Sequence, residues 1–245
     1  MRIGKLINRI EQSDRNYCPE VTFTRPRRIY TFINPYSYHI YRKQAELYDS
    51  FDGIFVDGFL MCLFIRLLWG RRVQRRSYDM SSMAKEHFGY LNRDHGNRNI
   101  CFVGAKEQEI SGTIEQIAKT YPNIDIPYYR NGYFESPQER EAVIHRIVEA
   151  GYSYAVVGMG APLQERFLRD LRDAGYDGIA FTCGGFLHQT THKIHYYPAW
   201  IDKYNLRAFY RLYKEKGMAK RLYNVLIQFP VLFLYDTIHS KLASL

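Results

Sequence analysis

A chain of 245 residues that is 46% hydrophobic, with scattered glycines and prolines, suits one large α/β domain or two smaller ones. That composition argues against disordered and fibrous classes. The four cysteines, Cys18, Cys62, Cys101 and Cys183, form no CxxC pair, which argues against a disulfide framework or cysteine zinc site and fits a reducing cytoplasm. A formal charge of +9 with 22 tyrosines leaves nucleic acid, an anionic membrane or a phosphorylated substrate open as partners.

Taken in order, MRIGKLINRIEQSDRN has no signal-peptide core, and Arg25–Arg28 reads as an irregular basic lead-in. Ile29–Ile33 is a strand ended by Asn34-Pro35, Tyr36–Tyr48 is helical, and Gly53–Val56 is a strand closing on Asp57-Gly58. Asn99–Val103 is a strand followed by Gly104 and a helix near Glu107–Lys119. Ile124–Tyr129 is a strand and Pro137–Gly151 a helix. Tyr154–Val157, Gln164–Ala174 and Gly178–Thr182 then follow as strand, helix and strand. The apolar runs Phe59–Trp69 and Val225–Leu234 are shorter than the roughly 20 residues that span a bilayer.

The alternation predicts an α/β fold with a mainly parallel, Rossmann-like sheet flanked by helices. From about Pro198 the pattern turns basic and helical. The expected division is therefore a lead-in over 1–28, a catalytic body over 29–197 and a basic helical appendage over 198–245.

Ligands in open parallel sheets bind beyond the strands' carboxyl ends, where Asn34, Asp57, Gly104 and Gly158–Pro162 all fall. The Gly158–Pro162 turn is a candidate phosphate cradle, with Pro162 suited to a first helical position, or else a plain tight turn. As a dinucleotide fingerprint it is incomplete, since Leu163 stands where the third glycine belongs. Asp57, between two apolar segments, is either a partly desolvated general base or a helix N-cap. Arg71, Arg72, Arg75 and Arg76 form a basic knot that could hold phosphates or simply be solvated. Lys203, Arg207, Arg211 and Lys214 recur at helical spacing, suited to anionic lipid or a leaving diphosphate. His188, His192 and His195 lack an acidic or cysteine partner for zinc, and no Asp-x-Asp metal clamp occurs in the sequence.

In order, these pieces resemble the WecG/TagA/CpsF family of bacterial glycosyltransferases. VVGMGAPLQERF is similar to the family's strand, G-x-G-x-P-x-Q-E and helix. Asn34-Pro35, Asp57-Gly58, the stretch Arg75 to Asp79, Gly132-Tyr133-Phe134, Cys183–Phe186 and a closing PAWIDKYNLRAFYRLYKE match in order, over roughly Ile29 to Arg221. Phe32 stands where many members carry threonine, with Thr31 adjacent. Leu163 replaces a usual basic residue. Both departures suggest a divergent member with a different donor sugar.

The resemblance implies an inverting, metal-independent enzyme that needs no cofactor. It would move an N-acetylhexosamine, its uronic acid or a related hexose from a UDP-sugar to a lipid-linked saccharide in cell-surface polysaccharide synthesis. Asp57 matches the general base. Asn34, Asp79, Gly104, Tyr133, Gly158, Gly160, Pro162, Gln164, Glu165 and Gly184 form the expected donor-binding set. Arg207, Arg211 and Arg221 match tail arginines that stabilise the diphosphate.

The expected location is cytoplasmic, with the tail resting on the inner membrane face; nucleic acid is not an expected partner, and self-association stays open. The rival readings are a nicotinamide-dependent oxidoreductase, which lacks a ribose-binding acid, and a basic module binding lipid or nucleic acid. The latter leaves the polar residues at strand ends unexplained.

Overall fold

A computed structural model describes residues 2–191, 193–194, 201, 210 and 222–243. It opens with helices α1 (Arg2–Arg15) and α2 (Pro19–Thr22). Strand β1 (Arg28–Ile33), helices α3 (Tyr38–Lys43) and α4 (Ala45–Asp49), strand β2 (Gly53–Val56) and helices α5 (Phe59–Trp69) and α6 (Met83–Arg93) follow. The pattern then alternates through β3 (Asn99–Gly104), α7 (Glu107–Thr120), β4 (Asp125–Arg130), α8 (Pro137–Ala150), β5 (Tyr154–Gly158), α9 (Leu163–Asp173), β6 (Ile179–Thr182) and α10 (Phe186–Gln189). A C-terminal helix spans Phe229–Leu242, led in by a π-helical turn at Asn224–Gln228.

The strands form one six-stranded sheet in the order β2-β1-β6-β5-β3-β4, with every described pairing parallel. Strands covered on both faces read as unbroken apolar runs, and GIFV, YAVVG and IAFT are buried throughout. DIPYYR alternates between exposed and half-buried positions and carries a proline, as an edge strand can. One face of the sheet packs α1, α3, α4, α5, α8, α9 and the C-terminal helix; the other packs α6, α7 and α10. The polypeptide therefore leaves β3 toward one face and β5 toward the other, which opens a crevice between their carboxyl ends.

Helix α1 belongs to the body of the fold. Ile3, Leu6, Ile7 and Ile10 recur at helical spacing and are buried beside β2. Its Ser13 Oγ accepts from Ile54 N–H, and Arg76 N–H donates to Val56 O, so both side groups and backbone cover the outer edge of β2.

Candidate active site

The carboxyl end of β2 carries a compact charged cluster. Asp57 follows the strand, its N–H donating to Ile33 O, while Gly58 rather than Asp57 caps α5. The Arg75 guanidinium reaches Asp57 Oδ1 at 3.5 Å, Asp79 Oδ2 at 3.1 Å and Ser77 Oγ at 2.8 Å. Ser77 Oγ donates to the same Asp79 oxygen at 2.7 Å, and Ser81 N–H and Oγ donate to the other. Asp79 is thereby committed to holding Arg75. Asp57 has only the longer Arg75 contact, and its side chain is 37% exposed. Of the two readings of position 57, the helix N-cap is not found; Asp57 is a part-exposed carboxylate steadied by Arg75.

The knot around Arg75 is fixed from α1, whose Asp14 accepts from Gln74 N–H at 3.0 Å and from Arg76 Nε at 2.9 Å. Arg75 was read as part of a solvated or phosphate-binding run. Its role beside Asp57 could have been found in the R-x-S-x-D spacing, since each polar side chain in that spacing meets Arg75.

On the neighbouring strand end, Asn34 Oδ1 accepts from Ser37 N–H at 2.9 Å and Asn34 N–H donates to Ser37 Oγ at 3.0 Å. This reciprocal pair turns the chain into α3. It leaves the Asn34 side-chain amide N–H groups without a described partner, beside Asp57 in the order of the sheet.

The glycines divide into two kinds. A Cβ on Gly104 would lie 2.3 Å from Gly158 O, one on Gly132 would lie 2.9 Å from the Gly104 Cα, and one on Gly158 would strike Cys183 Sγ at 2.7 Å. These three let the ends of β3, β4, β5 and β6 crowd together. The N–H groups after Gly104 are spent, Ala105 N–H on Gly158 O and Lys106 N–H on Glu109. Gly160 (φ +75°) and Gly184 (φ +54°) face open space and are needed for backbone direction alone. The N–H groups of Met159, Gly160 and Ala161 donate to no described residue, so the available cradle is 159–161. Pro162 takes the cap position before α9 instead of its first turn, after a cis peptide bond.

Gln164 and Glu165 do not face solvent. Gln164 Oε1 accepts from Gly184 N–H at 3.2 Å and its Nε2 donates to Glu165 Oε1 at 3.1 Å, so it ties the β5 turn to the β6 turn. Glu165 is fully buried. Its Oε1 also accepts from Thr31 Oγ1, which lies 3.0 Å from Thr182 Oγ1, while Oε2 has no partner among the described residues. Burial pushes the Glu165 carboxyl above the usual carboxylate range, against the hydrogen bonds from Gln164 and Thr31 that pull it down.

Thr31 sits on the opposite face of β1 from Phe32, which packs on Phe55 and Tyr78. Tyr133 is exposed, its N–H bonded to Asn131 Oδ1. His188 pairs with Glu109 at 2.8 Å. His192, His195, Arg207, Arg211 and Arg221 lie outside the described residues. Among the described residues no group of three or more histidine, cysteine or carboxylate side chains gathers as a metal site would.

A family model described as the glycosyl transferase WecG/TagA/CpsF family matches residues 15–243. The chain belongs to that family. It is 32% identical over 210 residues to a UDP-Gal:alpha-D-GlcNAc-diphosphoundecaprenol beta-1,4-galactosyltransferase of Shigella boydii, covering 86% of this chain and 87% of the relative. It is 30% identical to an N-acetylglucosaminyldiphosphoundecaprenol N-acetyl-beta-D-mannosaminyltransferase of Bacillus subtilis, over 75% of this chain and 69% of that one. The protein is thus a WecG/TagA/CpsF glycosyltransferase, and neither the nicotinamide enzyme nor the basic binding module is needed to explain it.

Proposed function

We propose that this glycosyltransferase moves a hexose or N-acetylhexosamine from a UDP-sugar to an N-acetylglucosaminyl-diphosphoundecaprenol acceptor, inverting the anomeric carbon without a metal. The observation that carries the reading is the accessible Asp57 carboxylate held by Arg75 at a strand end of a family member. Asp57 takes the proton of the acceptor hydroxyl as that oxygen bonds to the anomeric carbon. The bond from that carbon to the diphosphate breaks, and UDP departs with its electron pair. Such general-base assistance is typically worth ~10²–10⁴-fold.

The strand order supports one arrangement of the donor. Asp57 ends β2 and Gly160 follows β5, three strands away in the sheet, or roughly 14 Å at ordinary strand spacing. An anion at 159–161 is too far from Asp57 to be the group displaced there. The span instead suits a donor stretched across the sheet, with its nucleotide end over β5 and its sugar near Asn34 and Asp57. Arg207, Arg211 and Arg221 then close over the diphosphate and stabilise developing charge. The C-terminal segment rests on the inner membrane face, where the acceptor is displayed.

The test is transfer from a panel of UDP-sugars, UDP-galactose first, to diphosphoundecaprenol-linked N-acetylglucosamine in EDTA. Product from the intact enzyme and a loss of about 10²-fold or more in Asp57→Asn support the reading. Full activity in Asp57→Asn sinks the base, and activity appearing only on adding divalent cation sinks metal independence.

A further inference from the structure

Two helices of this fold bury one face and turn an apolar face outward. In the C-terminal segment, Phe229, Phe233 and Thr237 are buried, and Asp236 ties inward to Arg42 and Tyr38. The opposite side carries Ile227, Val231, Leu234, Tyr235, Ile238 and Leu242, all exposed, Val231 at 62%. At 1.5 Å per residue this stripe runs roughly 20 Å. No charged residue interrupts it between Ile227 and Tyr235.

Helix α5 repeats the pattern. Met61 and Ile65 point into the core, whereas Phe59 and Leu67, two turns apart on one face, are exposed, Leu67 at 69%. The two helices lie side by side. Phe64 packs on Phe229 and Phe233 with ring centroids at 5.4 and 6.0 Å, and Trp69 Nε1 donates to Thr237 Oγ1 at 3.1 Å. Exposed Arg66, Arg71 and Arg72 stand on and just beyond α5, Arg71 shared with Glu11.

Exposed apolar residues on two packed helices mark an interaction site, and arginines at their border match an anionic bilayer. No helix among the described residues is long and apolar enough to cross a membrane, so the contact is one of lying on the surface.

We infer that α5 is the second half of a bilayer-docking plate, paired with the C-terminal helix, and that it sets the active site at the membrane surface. This rests on the membrane-borne acceptor of the proposed function and adds an element from the catalytic body to its tail. The consequence is geometric. α5 begins one residue after Gly58, so the helix seated in the headgroup layer starts beside Asp57. A lipid-linked diphosphosaccharide then meets the base without leaving the bilayer.

The test uses the full chain and vesicles of phosphatidylethanolamine with phosphatidylglycerol, in a flotation assay. Leu67→Glu and, separately, Val231→Glu should each weaken vesicle binding about tenfold or more, the loss of one buried leucine-sized contact with a charge added. High salt should weaken binding of the wild-type chain. Leu67→Glu should also lose transfer to vesicle-embedded acceptor while keeping wild-type turnover on a short-chain, water-soluble acceptor analogue. If Leu67→Glu floats like the wild type while Val231→Glu does not, α5 takes no part and the inference falls. Equal loss of turnover on both acceptors also overturns it, since the damage is then to the site. A wild-type chain that floats but transfers sugar to neither acceptor would instead refute the proposed function.

Discussion

Thr31 Oγ1 donates to Glu165 Oε1 across 3.1 Å in a sealed interior, joining the middle of β1 to the first turn of α9. A carboxyl this buried, with one oxygen unpartnered, is better held as the neutral acid than as an anion. Its Oε1 braces Gln164, and through Gln164 the N–H of Gly184, so it holds the turn after β6.

The sign of the Glu165 effect follows from linkage. Its folded-state pKa lies above the unfolded one, so the stability it contributes is present at low pH and lost as pH rises through the folded value. Glu165→Gln keeps the acceptor atom without the ionisation. The melting temperature of that variant should gain on the wild type as pH rises above the ordinary glutamate range. Glu165→Leu strands the Thr31 hydroxyl and the Gln164 amide and should cost about 1–3 kcal/mol. A gap between Glu165→Gln and wild type that stays flat with pH would show that Glu165 does not titrate differently in the fold.

His87 has the opposite acid limb. Its ring is buried against Phe23 and Tyr154, with Nδ1 bonded to Tyr78 OH at 2.8 Å, and burial pushes its pKa down to about 3. The unfolded chain therefore binds a proton there that the folded one refuses, and stability is lost as pH falls below about 6.5. The slope should approach about 1.4 kcal/mol per pH unit from this one group. His87→Phe should flatten that limb in denaturant titrations while costing about 1–3 kcal/mol near neutrality, because Tyr78 loses its acceptor.

The two kinds of glycine should separate cleanly. Gly160→Ala meets nothing and pays only for its left-handed backbone, about 1–2 kcal/mol, so it should fold and bind UDP. Gly104→Ala drives a methyl into the Gly158 carbonyl and should not give a folded protein. Circular dichroism melts of the pair decide the matter, and a stable Gly104→Ala would contradict the contact between the ends of β3 and β5.

Arg75→Ala removes the only described cation beside Asp57 and leaves Ser77 and Asp79 facing each other. Transfer should fall by about tenfold or more, with kcat affected more than the donor KM, because Arg75 sets the base and not the donor. A change confined to KM would move Arg75 to donor binding.

The alternation of strands and helices was legible because apolar runs ended on turn residues. Gly53–Val56 keeps the bounds read from sequence, the helix read over Tyr36–Tyr48 divides at Gln44 into α3 and α4, and the other elements read shift by one residue. What ran counter to local chemistry was harder to read. Glu165 looked like a first-turn acid drawn to solvent and the helix dipole, yet the sheet beneath α9 encloses it; hydrogen bonds from the adjacent Gln164 and from Thr31, 134 positions away, make that tolerable. Gly104 and Gly158 looked like phosphate-binding glycines, and nothing local reveals that Gly104 makes room for Gly158 and Gly158 for Cys183. Asp57 sits between apolar segments, of which GIFV is buried while Phe59 turns outward, so the carboxylate is left part-exposed. Helix α1 went unread, since residues 1–28 read as a lead-in, although the spacing of Ile3, Leu6, Ile7 and Ile10 fits a buried helical face.

Because α1 shields the free side of β2 with Ser13 and braces the Arg75 segment with Asp14, a product clipped between α1 and β1 would lose more than a helix. It would bare the N–H of Ile54 on the strand that leads to the base, and an unsatisfied strand rim recruits another strand. Shortened chains should therefore clump through β2 and fall silent, whereas a tag added ahead of Met1 should leave the enzyme unclumped and active.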